Sequence, residues 1–128
     1  MAGERVLVVE DNEKNMKLFR DVLQATGYTP VEASSGEEAL TLATGIVPAL
    51  VLMDIQLPDI DGIEALRRLR EDERMARIPV LALTAQAMEG DRERFLDAGF
   101  DGYLSKPVDV AELVEMVRSF CSTTLESE

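Results

Sequence analysis

Histidine is absent from this chain, tryptophan is absent too, and cysteine occurs once. Without histidine there is no Ser-His-Asp triad, no histidine-based zinc site and no phosphohistidine on the chain itself. The single Cys121 has no internal disulfide partner, which agrees with a reducing compartment, and its place on an apolar helical stripe reads as packing. No apolar run reaches the ~18 residues of a membrane span, and no charged-then-apolar leader is present, so a cytoplasmic location is expected. Positive charge is also scarce: 13 Lys and Arg stand against 25 Asp and Glu, a formal net charge of −12. Nucleic acid and anionic lipid both need a basic face, so neither is expected as a partner. Cations and basic protein surfaces suit this chain better, and its chemistry must run on carboxylates, hydroxyls and lysine.

The 128 residues, 46% of them hydrophobic, fit one domain spanning 1–128, with a core over about 4–122. Five short segments, "RVLVVE" (5–10), "YTPVEA" (28–33), "ALVLMD" (49–54), "PVLALT" (79–84) and "DGYLSK" (101–106), alternate with helical patterns. That alternation predicts an α/β fold with a parallel sheet covered on both faces. The first, third and fourth segments are almost wholly apolar and read as central strands; Pro30 and Glu32 mark the second as an edge, and the short polar fifth is the other.

The helices carry their own punctuation. The first follows Asp11 and Asn12, either of which suits an N-cap, repeats Met16, Phe19 and Leu23, and stops at Gly27. The second lies between Ser34-Ser35-Gly36 and Gly45; the third follows Gly62 and buries Ile63, Leu66 and Leu69. The fifth repeats Val110, Leu113, Val114, Val117 and Cys121 at helical spacing, and the polar tail "STTLESE" is expected to fray. Helix 4, about Met88 to Ala98, has few large apolar residues and contains Gly90, so it is expected to be the most weakly anchored.

In open parallel sheets, ligands bind beyond the carboxyl ends of the strands. There the chain places Glu10 and Asp11 after strand 1, Asp54 at the end of strand 3, Thr84 at the end of strand 4 and Lys106 after strand 5. Three carboxylates at one rim repel, and a divalent cation relieves the conflict. An all-oxygen donor set selects a hard ion, Mg²⁺ or Mn²⁺ in its place. With a lysine and a hydroxyl beside them, these groups suit phosphoryl transfer onto a carboxylate. Singly, each has a plainer reading: Asp11 as an N-cap, Asp54 as a turn former, Thr84 as a strand residue, Lys106 as a solvated side chain.

The stretches "VLVVEDN", "LVLMDIQLPDIDG", "PVLALTA" and "GYLSKPV" together resemble the receiver domain of two-component response regulators over nearly the whole chain. The likeness is strongest to stand-alone receivers of bacterial cell-cycle control and to receivers attached to hybrid histidine kinases. It implies a flavodoxin-like (βα)5 fold, doubly wound, with strand order 2-1-3-4-5 and a cis Lys106-Pro107 peptide bond. It also implies that Asp54 is the phosphoacceptor, that Asp11, Asp54, Glu10 and the backbone carbonyl of Gln56 hold Mg²⁺, and that Lys106 pairs with the acceptor. Thr84 and Tyr103 would form the switch, Tyr103 turning inward from solvent. Gln56 and Gln86 stand where receivers set phosphoryl lifetime, although two long neutral amides leave that lifetime open. Asp61 reads as the cap of helix 3, and Asp59 as part of a kinase-facing rim.

The implied partner upstream is a histidine kinase or histidine phosphotransfer protein. No effector segment follows helix 5 in this sequence, so output is expected to pass to another protein through the face of helix 4, strand 5 and helix 5. The chain then acts as a phosphoacceptor that assists its own phosphorylation and dephosphorylation, not as an enzyme. Three rivals remain. An aspartate-nucleophile phosphatase would want a second acid where Gln56 stands, a flavin module would want a hydroxyl-rich loop where "EDNEKN" stands, and a docking module would use no phosphate.

Overall fold

The computed structural model describes residues 3–85 and 90–126, with side-chain surroundings up to residue 121. In chain order it comprises β1 (Arg5–Val9), α1 (Glu13–Ala25), β2 (Thr29–Ala33), α2 (Gly36–Ile46), β3 (Leu50–Asp54) and α3 (Gly62–Arg70). A 3-10 turn (Glu73–Met75) then precedes β4 (Val80–Thr84), α4 (Asp91–Ala98), β5 (Gly102–Ser105) and α5 (Val110–Glu126). The sheet is parallel throughout, in the order β2-β1-β3-β4-β5, so the two strands marked as edges by their polarity are the edges.

Alternation along the strands builds two cores. Val6, Val8, Leu50, Leu52, Leu81 and Leu83 face α1 and α5, meeting Phe19, Leu23, Leu113 and Val117. Leu7, Val9, Val51, Met53, Val80 and Ala82 face the other way, onto α2, α3 and α4. Because β1, β3 and β4 are buried on both sides, every position in them after the exposed Arg5 of β1 is apolar until the strand ends. Polarity therefore returns abruptly at the carboxyl rim.

Helix caps follow the local chemistry. Asn12, Ser35 and Asp61 each accept a backbone N–H from the first turn of α1, α2 and α3 respectively. α4 instead starts at Gly90, in the left-handed region at φ 94°, with no side-chain cap, and Phe95 is its buried residue. It is the weakly anchored helix that its composition suggested, although its described part begins at Asp91 and not at Met88, which lies outside the described residues.

Three details differ from the sequence reading. Val110, the first residue of α5, is exposed, and the buried stripe begins one turn later at Leu113. Ile63 is only half-buried, with Ala65, Leu66 and Leu69 carrying the contact of α3 instead. The α5 backbone continues through most of "STTLESE" to Glu126, a stretch with no glycine or proline to stop it. Cys121 is buried among apolar neighbours, and that burial pushes its thiol up to about 11, so it is an inert packing residue.

Candidate functional site

The parallel register carries the strand ends to one rim. Ile55 N–H donates to Leu83 O at 3.0 Å and Lys106 N–H to Thr84 O at 2.7 Å, so β3, β4 and β5 finish side by side. Glu10, Asp54 and Thr84 are the buried polar residues of the described core. Asp11, one residue beyond Glu10, is exposed at the mouth. The Lys106-Pro107 peptide bond is cis.

Lys106 joins the acids. Its Nζ lies 2.7 Å from Asp54 Oδ2, to which it donates a hydrogen bond, and 2.6 Å from Glu10 Oε1. The contact to Glu10 is ionic and poorly aligned, so Oε1 is buried without a hydrogen bond among the described residues. The remaining oxygens are held by backbone: Gln56 N–H donates to Asp54 Oδ1 at 2.9 Å and Asn12 N–H to Glu10 Oε2 at 3.1 Å.

Electrostatics follow from this burial. Glu10 is pushed up from the usual carboxylate range, chiefly by desolvation, with the charge of Asp54 adding to it and Lys106 and Asn12 opposing it. For Lys106 burial pulls the ammonium down, but its close pairing with Asp54 and Glu10 outweighs this and the net shift is upward. One ammonium thus sits between two buried carboxylates, with a third nearby.

Oxygens of Glu10, Asp11 and Asp54 all lie within 4.8 Å of one another. The donor set is entirely carboxylate, one member opens to solvent, and a buried Glu10 oxygen lacks a hydrogen bond. These residues fit a hard divalent cation.

The other sequence-predicted residues are placed as follows. Thr84 is buried at the end of β4. Tyr103 is half-buried, its ring 6.2 Å from that of Phe95 at 54°, so it already leans on α4 instead of standing free in solvent. The Gln56 side chain is exposed beside Asp54, and Gln86 lies outside the described residues. Asp61 caps α3 as read. Asp59 is exposed but committed: its two oxygens accept the N–H groups of Gly36 and Glu37, both at 2.9 Å, tying the loop after β3 to the start of α2.

Two features of the site carry little sequence signal. The Gln56 N–H that holds Asp54 is a backbone group, whose donor role only geometry reveals. Gly62 is more legible, since a glycine after a catalytic loop suggests close approach: a Cβ there would stand 2.6 Å from Asp54 O and 2.9 Å from Ile55 Cα. The loop carrying Asp54 therefore packs directly on the start of α3.

An acid cluster with one lysine at the carboxyl rim of a 2-1-3-4-5 sheet defines a class, and the family comparison agrees with it. The chain belongs to the response regulator receiver domain family, whose model matches residues 6–118. It is 50% identical over 115 residues to the polar-differentiation response regulator DivK of Brucella ovis, covering 90% of this chain and 94% of that protein. Its fold is similar to the receiver domain of a Pseudomonas aeruginosa sensor histidine kinase with magnesium coordinated in the active-site cleft, at TM-score 0.87 and 38% identity, covering 94% and 99% of the two chains. It is also similar to the receiver domain of Saccharomyces cerevisiae Ssk1, solved in complex with the phosphotransfer protein Ypd1, at TM-score 0.88 and 28% identity, covering 96% and 92%. Among the described residues no helix is long and apolar enough to cross a membrane.

Proposed function

We propose that this chain is a cytoplasmic phosphoacceptor switch of a DivK-like phosphorelay, taking a phosphoryl group onto Asp54 from a phosphohistidine of a histidine kinase or phosphotransfer protein. The observation that carries this reading is the Lys106 ammonium held between Asp54 and Glu10 at 2.7 and 2.6 Å, at a rim where three carboxylates converge. Asp11, Glu10 and Asp54, with the backbone carbonyl of Gln56, would hold Mg²⁺, for which Mn²⁺ can substitute. When bound, the cation supplies positive charge to phosphoryl oxygens and removes the repulsion among the acids.

Asp54 attacks phosphorus with a carboxylate oxygen; the phosphorus–nitrogen bond of the donor breaks, and its electron pair leaves on the imidazole nitrogen. Gln56 N–H and Lys106 hold the two Asp54 oxygens in fixed directions, so little reorganisation is needed at the moment of transfer. Lys106 then turns from the carboxylate to the new phosphoryl oxygens. Thr84, at the end of the next strand, is drawn toward them as well. A charge-assisted hydrogen bond contributes roughly 1.5–3 kcal/mol, enough to shift a two-state equilibrium by about ten- to a hundredfold.

Tyr103 follows by turning further inward, and its contact with Phe95 passes the change to α4. Phe95 is the buried residue of that helix and stacks edge-on against Phe100, so repacking it moves the helix with few other contacts to break. The output face is α4, β5 and α5. The chain is then a self-assisting acceptor and not a turnover enzyme, with the exposed Gln56 side chain beside Asp54 on the approach of a hydrolysing water.

The test is intact mass after incubation with Mg²⁺ and acetyl phosphate, with backbone NMR of the same samples. Wild type should gain one phosphoryl group, with shifts concentrated on α4, β5 and α5, and EDTA or Asp54→Asn should abolish both. No phosphoryl gain, or a gain that leaves that face unmoved, contradicts the reading.

A further inference from the structure

The groove between α4, β5 and α5 encloses about 440 Å³, with Leu96, Tyr103 and Met116 on its apolar side. A second hollow continues from it along α5, sharing Glu112 and Met116 and edged by Asp109 and Glu115. Gly102 forms part of the floor. A Cβ there would stand 3.2 Å from Met116 Cε and 3.1 Å from Leu81 Cδ2, so the end of the Met116 side chain packs closely over β5 at this glycine.

The charges along this groove differ from those elsewhere on the molecule. Around α1, β2, α2 and α3 several acids are matched by arginines, as in Glu32 with Arg20, Glu64 with Arg67 and Arg68, and Glu37 with Arg68. Along α5, Glu112 and Glu115 form no ion pair among the described residues, and Asp109 uses one oxygen to cap the helix by accepting Glu112 N–H at 3.0 Å. Asp101, also at the groove, is committed to Arg70 and to Val80 N–H. The cation at this groove is Arg92, on the opposite lip, in α4.

We infer that this groove receives a partner segment bearing an apolar side chain flanked by lysine or arginine, the apolar group seated among Leu96, Tyr103 and Met116 and the cations against Glu112, Glu115 and Asp109. The inference deepens the reading of this face as the output surface and rests on it. Three carboxylates against one guanidinium set the sign of the field, and the net charge of −12 steers cationic segments toward it. An acid on the partner facing Arg92 fixes the direction of the segment. Methionine and tyrosine suit the apolar seat, since a flexible thioether adapts to branched or aromatic anchors. Because Tyr103 forms a wall, its rotation reshapes the seat, and the two switch states must differ in affinity for the segment.

Phage-displayed random 12-residue peptides selected on the immobilised full chain, with and without Mg²⁺ and acetyl phosphate, test this without presuming a partner. Enriched peptides should pair Leu, Ile or Phe with Lys or Arg. They should bind Glu112→Gln/Glu115→Gln roughly tenfold more weakly, as loss of two exposed ion pairs implies, and the deficit should shrink at high salt. Met116→Ala should also weaken them, while Asp21→Asn/Glu73→Gln, which removes the same charge elsewhere, should not. Enrichment of acidic or uncharged peptides, or equal loss in both double variants, overturns the inference. Selection of basic-apolar peptides by a chain that takes no phosphoryl group would overturn the switch reading and leave the groove chemistry standing; phosphorylation without such peptides would do the reverse.

Discussion

Replacing Lys106 by methionine keeps the length of the side chain and removes its charge from between two carboxylates. Glu10 and Asp54 have side-chain exposures of 1% and 7%, so neither can turn to water for compensation. Breaking a buried ion pair from one side costs about 3–5 kcal/mol. The 14% exposure of Lys106 and the raised proton affinity of Glu10 reduce this to about 2–4 kcal/mol at pH 7 in metal-free buffer. For a domain of this size that lowers Tm by roughly 8–15 °C. The pH dependence has a definite sign. A carboxyl with a folded pKa above its unfolded one binds its proton more tightly when folded, so its penalty is relieved as pH falls through that window. Burial already raises Glu10, and losing the ammonium raises it further. The stability gap between wild type and Lys106→Met, measured by calorimetry or urea titration, should therefore narrow from pH 7 to pH 5. Millimolar Mg²⁺ should narrow it too, by taking over the role of the ammonium. A variant as stable as wild type at pH 7, or a gap that ignores both pH and Mg²⁺, would refute the electrostatic account of the site.

Other perturbations read out the supporting structure. Val47 ends α2 in the left-handed region at φ 44° while largely exposed, a conformation that costs a β-branched residue about 1–2 kcal/mol, so Val47→Gly should raise stability by about 0.5–1 kcal/mol in urea titration. Gly62→Ala should cost about 1–3 kcal/mol and slow phosphoryl uptake from acetyl phosphate, because its methyl would press on the backbone of Asp54 and Ile55. Asp59 is held below its ordinary pKa by the N–H groups of Glu37 and Gly36, a contribution present above the unfolded pKa and lost as pH falls through the folded one. Asp59→Asn should accordingly lower Tm at pH 7, with the difference shrinking only once pH falls below about 4 and vanishing below the lowered folded pKa.

Much of this architecture was legible because buried parallel strands leave a blunt pattern. Val6 to Val9, Leu50 to Met53 and Val80 to Leu83 are apolar without a break, so the polar groups that end them stand out, and Pro30 and Glu32 set the edge. The acid cluster and Lys106 could be assembled from strand ends alone. What was not legible depends on three-dimensional closure. Asp59 looks like a rim residue in sequence, and only the approach of the β3–α3 loop to α2 turns it into a helix cap. Val110 keeps helical spacing with Leu113 and Val117, but it opens the helix and stays exposed while the other two are buried. Tyr103 carries no local sign that Phe95 lies against it, since that contact depends on how α4 returns to β5. The charge of the groove was hidden in the total, because 25 acids say nothing of which ones the arginines neutralise.

Phosphorylation is assigned to one carboxylate among several, and chemical trapping distinguishes it from the others. Protein phosphorylated with acetyl phosphate and Mg²⁺ is reduced with borohydride, which converts an aspartyl phosphate to homoserine, then digested and sequenced by mass spectrometry. Homoserine is expected at position 54 alone. Homoserine at Asp11, Asp59 or Asp61 with Asp54 intact, or no homoserine in protein that has gained a phosphoryl group, would contradict that assignment.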